Sequence, residues 1–293
     1  MSGARWAGAA LVAGGVVLGS ALDTAVAIPP ARAGGYHVVA ADLHVHAFPG
    51  DGALPPWELA REATRRGLHA IVISNHNQTF AARFGGTALQ PGGAALQGPR
   101  LPLVIPAQEI TTPRFHLIAA GITRTIDWRL PDLEIVRAVH AQGGVVIGAH
   151  PVGRYWKGSD ALLASLDGVE VAHLLTGMLA SGRDELTAFF LRARAVKPGI
   201  APIGSSDFHM VAPLGVCRTY VFAESLTTAS VLDAIRAGRT VAQDQDGVLY
   251  GDPSLTLLID QSRAAAGAAA PRRGGLLAAA AVLLGLLALV ALP

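Results

Sequence analysis

The chain has a single cysteine, Cys217, and only two lysines, Lys157 and Lys197, in 293 residues. A lone cysteine excludes an internal disulfide, and by itself neither favours nor opposes export. Charged residues make up 15% and aromatics 5%. The basic residues, almost all arginine, form no stripe and do not interleave with aromatics, so polymeric nucleic acid is not indicated as a partner. No internal repeat is present. The mean hydropathy of +0.42 is high for an enzyme domain, and the excess is concentrated at the two ends.

At the first end, Trp6 to Leu22 runs without charge between Arg5 and Asp23. Its length lies between a signal-peptide core and a spanning helix. Ala31-Arg32-Ala33 then offers a small-x-small cleavage site. Residues 1–33 are therefore expected to be a signal peptide or an N-terminal membrane anchor. At the other end, residues 261–273 read as an Ala/Gly/Arg linker that closes on Pro271-Arg272-Arg273. Residues 274–292 are wholly apolar, long enough for a C-terminal transmembrane helix, which needs about 20 residues. Arg5 favours a cytoplasmic N-terminus and the first segment usually dominates, although Arg272 and Arg273 pull the other way. The expected protein is membrane-anchored through its C-terminal helix, with its domain outside the cytoplasmic membrane.

Between these ends, residues 36–260 alternate short β-rich runs with helical ones, enough for one barrel-sized domain of about 200–250 residues. Expected strands are Val38–Leu43, Ala70–Ser74, Leu103–Ala107, Phe115–Ala120, Val145–Gly148, Val169–Ala172 and Ile200–Gly204. Expected helices are Trp57–Arg66, stopped by Gly67, Asp132–Gln142 with an aspartate cap, Asp160–Leu166, Asp184–Val196 and Thr228–Ala237. Apolar strands each covered by a helix point to an α/β fold with a parallel sheet or barrel buried on both faces. Residues 85–98, rich in Gly, Gln and Pro, read as a flexible loop at the rim of a site.

Of ten histidines, His44, His46, His76, His116, His150 and His209 fall at or just past expected strands, in company with Asp51, Glu109 and Asp207. In an α/β barrel the functional groups stand at the carboxyl ends of the strands. His44-x-His46 and Asp207-x-His209 have the spacing of two that sets both side chains on one face of an extended chain. Each signal alone is modest, since a lone His-x-His or a histidine before proline, as at His150-Pro151, is often structural. Glu109 carries more weight, because a buried carboxylate without a cation is costly. Five strand ends delivering metal-ligand types together point to a metal-dependent hydrolase. All-N/O ligation fits zinc, manganese or iron.

With these motifs the chain resembles the PHP (polymerase and histidinol phosphatase) superfamily of metal-dependent phosphoesterases, over roughly Val39 to Ile259. The resemblance rests on His44-x-His46 with Asp51-Gly52, His76-Asn77, Glu109, His116, His150-Pro151 and Asp207-x-His209. In general look it is most similar to the carbaryl-hydrolase-like metallohydrolase branch. The resemblance implies a distorted (β/α)7 TIM-like barrel holding two to three divalent metal ions. One metal would take His44, His46, Glu109 and Asp207, a second would share Glu109 and add His116 and His150, and a third would use Asp51, His76 and His209. One departure stands out: the family usually has Thr-Asp-His where this chain has Ser74-Asn75-His76, which removes a charge near the third site.

The activity this implies is phosphoester hydrolysis by a hydroxide bridging two metals. Asp207 would accept the water proton, and Asp207 and His209 are the candidate catalytic residues. Arg83, Arg154 and Lys157 could meet phosphate from rim loops, or be solvated charges. Carbamate, ester or amide hydrolysis needs the same activated water, so a small-molecule phosphoester or a carbamate/ester are the substrate classes. The amidohydrolases also begin with His-x-His, but neither lysine is placed to bridge their metals. A non-catalytic, metal-stabilised, membrane-attached binding domain is the remaining reading. Glu170 and His173, in Val169-Glu-Val-Ala-His173, could support the ligands from behind or be plain core residues. His37, His69 and His140 read as surface or packing residues, Cys217 as core, and Trp156 as either pocket wall or barrel cover.

Overall fold

The computed structural model describes residues 3–22, 28–82, 102–153, 155–174, 181–210, 212–266, 282–287 and 289. The chain divides into two units, Ala27–Ala266 and the two termini Met1–Val26 with Gly267–Pro293.

The larger unit begins with β1 (Ala31–Ala33), paired antiparallel to β2 (Tyr36–Val45). Then follow α2 (Pro56–Arg65), β3 (Ala70–Ile73), β4 (Leu103–Thr111), β5 (His116–Ala120), α3 (Asp132–His140), β6 (Val145–Ala149), α4 (Asp160–Ser165), β7 (Gly168–His173), α5 (Gly182–Val196) and β8 (Ala201–Ser205). The last elements are β9 (Arg218–Ala223), α6 (Thr228–Arg236), β10 (Thr240–Gln243), β11 (Leu249–Gly251) and α7 (Pro253–Ala266), while α1 (Gly3–Leu22) belongs to the terminal unit. One sheet runs β11-β10-β9-β2-β3-β4-β5-β6-β7-β8. The seven consecutive strands β2 to β8 form the expected distorted TIM-like barrel.

The pairing is mixed where a wholly parallel sheet was expected. β2, β3 and β4 run parallel, as do β6, β7 and β8, but β5 is antiparallel to both its neighbours. The cause is local. Only Thr112, Pro113, Arg114 and Phe115 separate β4 from β5, and a parallel crossover needs a dozen or more residues. The Thr112 hydroxyl donates to Phe115 O at 2.8 Å and accepts from Phe115 N at 3.0 Å, which closes the hairpin. β9, β10 and β11 were not foreseen; they extend the sheet antiparallel from β2. β4 also runs past the expected Ala107, so Glu109 lies inside a strand.

Between β8 and β9 the barrel is closed by a side chain in place of a ladder. Thr219 Oγ1 accepts from Gly204 N at 2.9 Å and donates to Gly204 O at 2.8 Å. A Cβ at Gly204 would stand 2.3 Å from Arg218 O, so only glycine lets the strands meet this closely. The helices pack their apolar stripes outside. α4 is capped by Ser159, which accepts from Leu162 N, and α6 by Thr227, which accepts from Ser230 N. α3 lacks the expected aspartate cap, because Pro131 holds that position and Asp132 is already helical.

The expectation of a membrane-anchored protein is not upheld. Among the described residues no helix is long and apolar enough to cross a membrane. α1 is composed mostly of Gly and Ala, which contribute little to transfer into hydrocarbon. Of the expected C-terminal helix over 274–292, residues 274–281, 288 and 290–292 lie outside the described residues. The expected rim loop over 85–98 lies outside the described residues.

Candidate metal centre

β2 delivers His44 and, just beyond its end, His46; the strand carries a register irregularity between Asp42 and Val45 where it approaches β3. Asp42 fixes this stretch from below. Fully buried, it accepts from Ser206 N (3.0 Å), Ser206 Oγ (2.5 Å) and Gly215 N (2.8 Å), which ties the end of β2 to the segment carrying Asp207. His46 N in turn donates to Phe208 O at 2.9 Å. A pair of residues distant in sequence is thus held in backbone register.

Four donor atoms converge here. His44 Nε2 lies 3.4 Å from Glu109 Oε2 and 3.1 Å from Asp207 Oδ1; His46 Nε2 lies 3.3 and 3.2 Å from the same two oxygens. The two Nε2 atoms are 3.1 Å apart. Tetrahedral donors bound at about 2.0–2.1 Å to one ion stand about 3.3–3.4 Å from each other. Five edges of such a tetrahedron are therefore already in place.

Glu109 is the hub. It is fully buried on β4, and its other oxygen, Oε1, lies 2.8 Å from His116 Nδ1 and 3.2 Å from His150 Nε2. The antiparallel register that pairs His116 with Ala149 is what sets His116 beside His150. His76, in an isolated bridge to Glu109, brings Nδ1 to 2.7 Å from Glu109 Oε2. A third group lies toward solvent: Asp51 Oδ2 is 3.3 Å from His76 Nε2 and 3.2 Å from His209 Nε2. Asp51 Oδ1 lies 3.0 Å from His46 Nδ1. All nine residues singled out in the sequence meet in this one cluster.

The electrostatics call for positive charge. Burial would raise the carboxyls of Glu109 and Asp207, yet the facing imidazoles hold both well below the usual range. Burial would likewise lower His46, but Asp207, Asp51 and Glu109 lift it to about 10, and the same carboxylates lift His44 well above normal. Two imidazolium Nε2–H groups cannot face each other at 3.1 Å, so protons are a poor substitute for a cation. Glu109 Oε2 and Asp207 Oδ1 are buried without a well-aligned hydrogen bond. Divalent cations fit this donor set.

The backbone is strained at the same place. Asn77, His150 and Asp207 are the non-glycine residues at positive φ among those described, at 49°, 27° and 49°. Such conformations cost roughly 1–3 kcal/mol each and concentrate at functional sites. Asn75, the departure from Thr-Asp-His, does not face the metal cluster. Its Oδ1 accepts from Ala47 N at 3.0 Å and its Nδ2 donates to Ala47 O at 2.6 Å, so it clamps the loop that carries Asp51.

The remaining candidates separate clearly. Glu170 and His173 do reach the cluster: Glu170 Oε1 is 3.0 Å from His44 Nδ1, and His173 Nε2 is 3.5 Å from Asp207 Oδ2. Tyr155 stands at the edge, its ring 5.2 Å from that of His150. Trp156 is core, packed on Phe115 and Phe189. Lys157 is exposed, and Arg83 and Arg154 lie outside the described residues. His69 Nδ1 accepts from Ala40 N, and His140 pairs with Asp167, so both serve packing. Cys217 is buried.

A family model described as PHP-associated matches residues 192–240. The fold is similar to a two-domain protein from Bacteroides vulgatus containing a predicted PHP-like metal-dependent phosphoesterase. The TM-score is 0.61 and the identity 21%, covering 81% of this chain and 73% of that one. It is also similar to PsfC from Pseudomonas syringae, with a TM-score of 0.52 and 14% identity over 78% of this chain and 97% of that one. No curated protein matches the chain. At these identities the likeness speaks for the fold, and the fold is of the PHP type.

Proposed function

We propose that this PHP-type barrel is a metal-dependent hydrolase acting on small-molecule phosphoesters. The observation that carries the reading is the tetrahedral convergence of His44, His46, Glu109 and Asp207 at 3.1–3.4 Å. These four would hold one cation. Glu109, His116 and His150 would hold a second, and Asp51, His76 and His209 a third. Such cations, zinc, manganese or iron, supply an acidified water and offset charge on the oxygens of the bond being cleaved.

The chain's own residues complete the chemistry. Asp207, with Oδ1 turned to the histidines and Oδ2 beside His173, would take the water proton. His209, one-third exposed, faces Asp51 through Nε2 and Asp207 O through Nδ1; were the third cation absent, its Nε2 would be the group nearest the mouth to supply a leaving oxygen with a proton. Buried carboxylates exclude bulk water beneath the cluster and hold the imidazoles in fixed tautomers.

The test is to strip the protein with chelator, restore Zn2+, Mn2+ or Fe2+, and assay phosphomonoesters, phosphodiesters and aryl carbamates side by side. Metal-dependent turnover of a phosphoester, lowered 100-fold or more in Asp207→Asn, supports the reading. Turnover confined to carbamates or carboxylic esters replaces the phosphoester assignment. Metal uptake with no hydrolysis makes the barrel a binding domain.

A further inference from the structure

Beneath the donor cluster lies a fully buried carboxylate that is not among the nine proposed ligands. Glu170 sits in the apolar strand β7, within Val169-Glu-Val-Ala-His173, with no exposure to solvent. Its Oε1 lies 3.0 Å from His44 Nδ1 and accepts from Ser205 Oγ. Its Oε2 accepts the backbone N–H of His150 at 2.5 Å. One side chain thus touches two proposed ligands, each assigned to a different cation.

The contacts differ in kind and both constrain. A carboxylate can only accept, so His44 must carry its proton on Nδ1. That leaves the Nε2 lone pair aimed at Glu109 and Asp207, the form a metal needs. His150 is held at φ 27°, a conformation that a β-sheet ladder does not enforce. The bond to Glu170 Oε2 ties its amide down and so directs its Nε2 to Glu109 Oε1. His173, three residues on, lies 3.8 Å from Glu170 Oε2 and 3.5 Å from Asp207 Oδ2. β7 therefore underpins three ligand-bearing strands at once.

We propose that Glu170 is a positioning residue that fixes the His44 tautomer and the His150 backbone, and so couples the first and second cation sites. The inference rests on the metal reading above. It is tested by chelator-competition titration of Zn2+ against the full chain, comparing wild type with Glu170→Gln, alongside thermal melts of the metal-free proteins. Glutamine keeps the volume but has one acceptor oxygen where the carboxylate has two, so it cannot accept from both His44 Nδ1 and the His150 N–H in this geometry. Metal affinity is expected to fall 10–100-fold, with both sites weakened together. A purely structural role would lower the metal-free melting temperature and leave affinity per folded molecule unchanged. Unchanged affinity and stoichiometry in Glu170→Gln would overturn the proposal while leaving the metal reading intact; a wild type that binds no Zn2+ would sink both. Should Glu170→Gln not fold, Ser205→Ala removes one anchor of the carboxylate instead. A several-fold loss of affinity in that variant supports the proposal, and no loss contradicts it.

Discussion

Replacing Glu109 with glutamine probes the hub of the cluster most sharply. Both its oxygens face imidazoles, five in all by distance: His116 and His150 at Oε1, and His44, His46 and His76 at Oε2. The variant retains the shape and deletes the charge shared by two proposed sites. In the wild type, one cation at 100 times its dissociation constant stabilises the fold by about 2.7 kcal/mol. For a domain of this size each kcal/mol raises the melting temperature by roughly 2–4 °C, so each filled site adds about 5–11 °C. Glu109→Gln should lose this increment for the first and second sites together, leaving at most the single increment of the third site, about 5–11 °C. The assay is a thermal melt with and without excess Zn2+ or Mn2+, at matched protein concentration. A variant that keeps the full metal-induced shift refutes the placement of Glu109 at the centre.

Three smaller predictions follow from side chains already placed. His46, raised to about 10 from 6.5, gives the metal-free fold stability that is complete below about 6.5 and lost as pH rises through 10; metal-free melting temperatures should fall over that window and metal-loaded ones should not. Asn75→Asp, which restores the family's usual residue, cannot donate to Ala47 O and sets a charge among carbonyls; a loss of about 1–3 kcal/mol in chemical denaturation is expected, and an unchanged midpoint would contradict the clamp. His69, with burial pulling it down to about 4, binds its proton more readily in the unfolded chain, so it costs stability on the order of 3 kcal/mol as pH falls from 6.5 to 4, a slope that His69→Gln should lack.

Much of this site was legible because its chemistry is local to strand ends. His44-x-His46 and Asp207-x-His209 announce themselves by spacing, and Glu109 by being a carboxylate inside Pro106-Ala-Gln-Glu-Ile110. The same signal marks Glu170, flanked by Val169 and Val171, and its full burial beside His44 agrees with a supporting role. Asp42 gave no such hint of its task. Its contacts to Ser206 and Gly215 span more than 160 residues, and no periodicity reports a pairing of that range.

The fold was legible in its elements and less so in their pairing. Alternation identifies β5 as a strand but is silent on its direction; the shortness of the Thr112–Phe115 turn carries that information. Arg218-Thr-Tyr-Val-Phe-Ala223 has the β-branched and aromatic content of a strand, although it is not among the expected ones. The apolar ends were read by composition alone. Among the described residues no helix is long and apolar enough to cross a membrane.

Diffraction from crystals soaked in Zn2+ or Mn2+, with anomalous scattering recorded at the metal edge, bears most directly on the central proposal. A peak is predicted among His44 Nε2, His46 Nε2, Glu109 Oε2 and Asp207 Oδ1, about 2.0–2.2 Å from each. Anomalous density confined to surface carboxylates, with nothing between those four atoms, would contradict it.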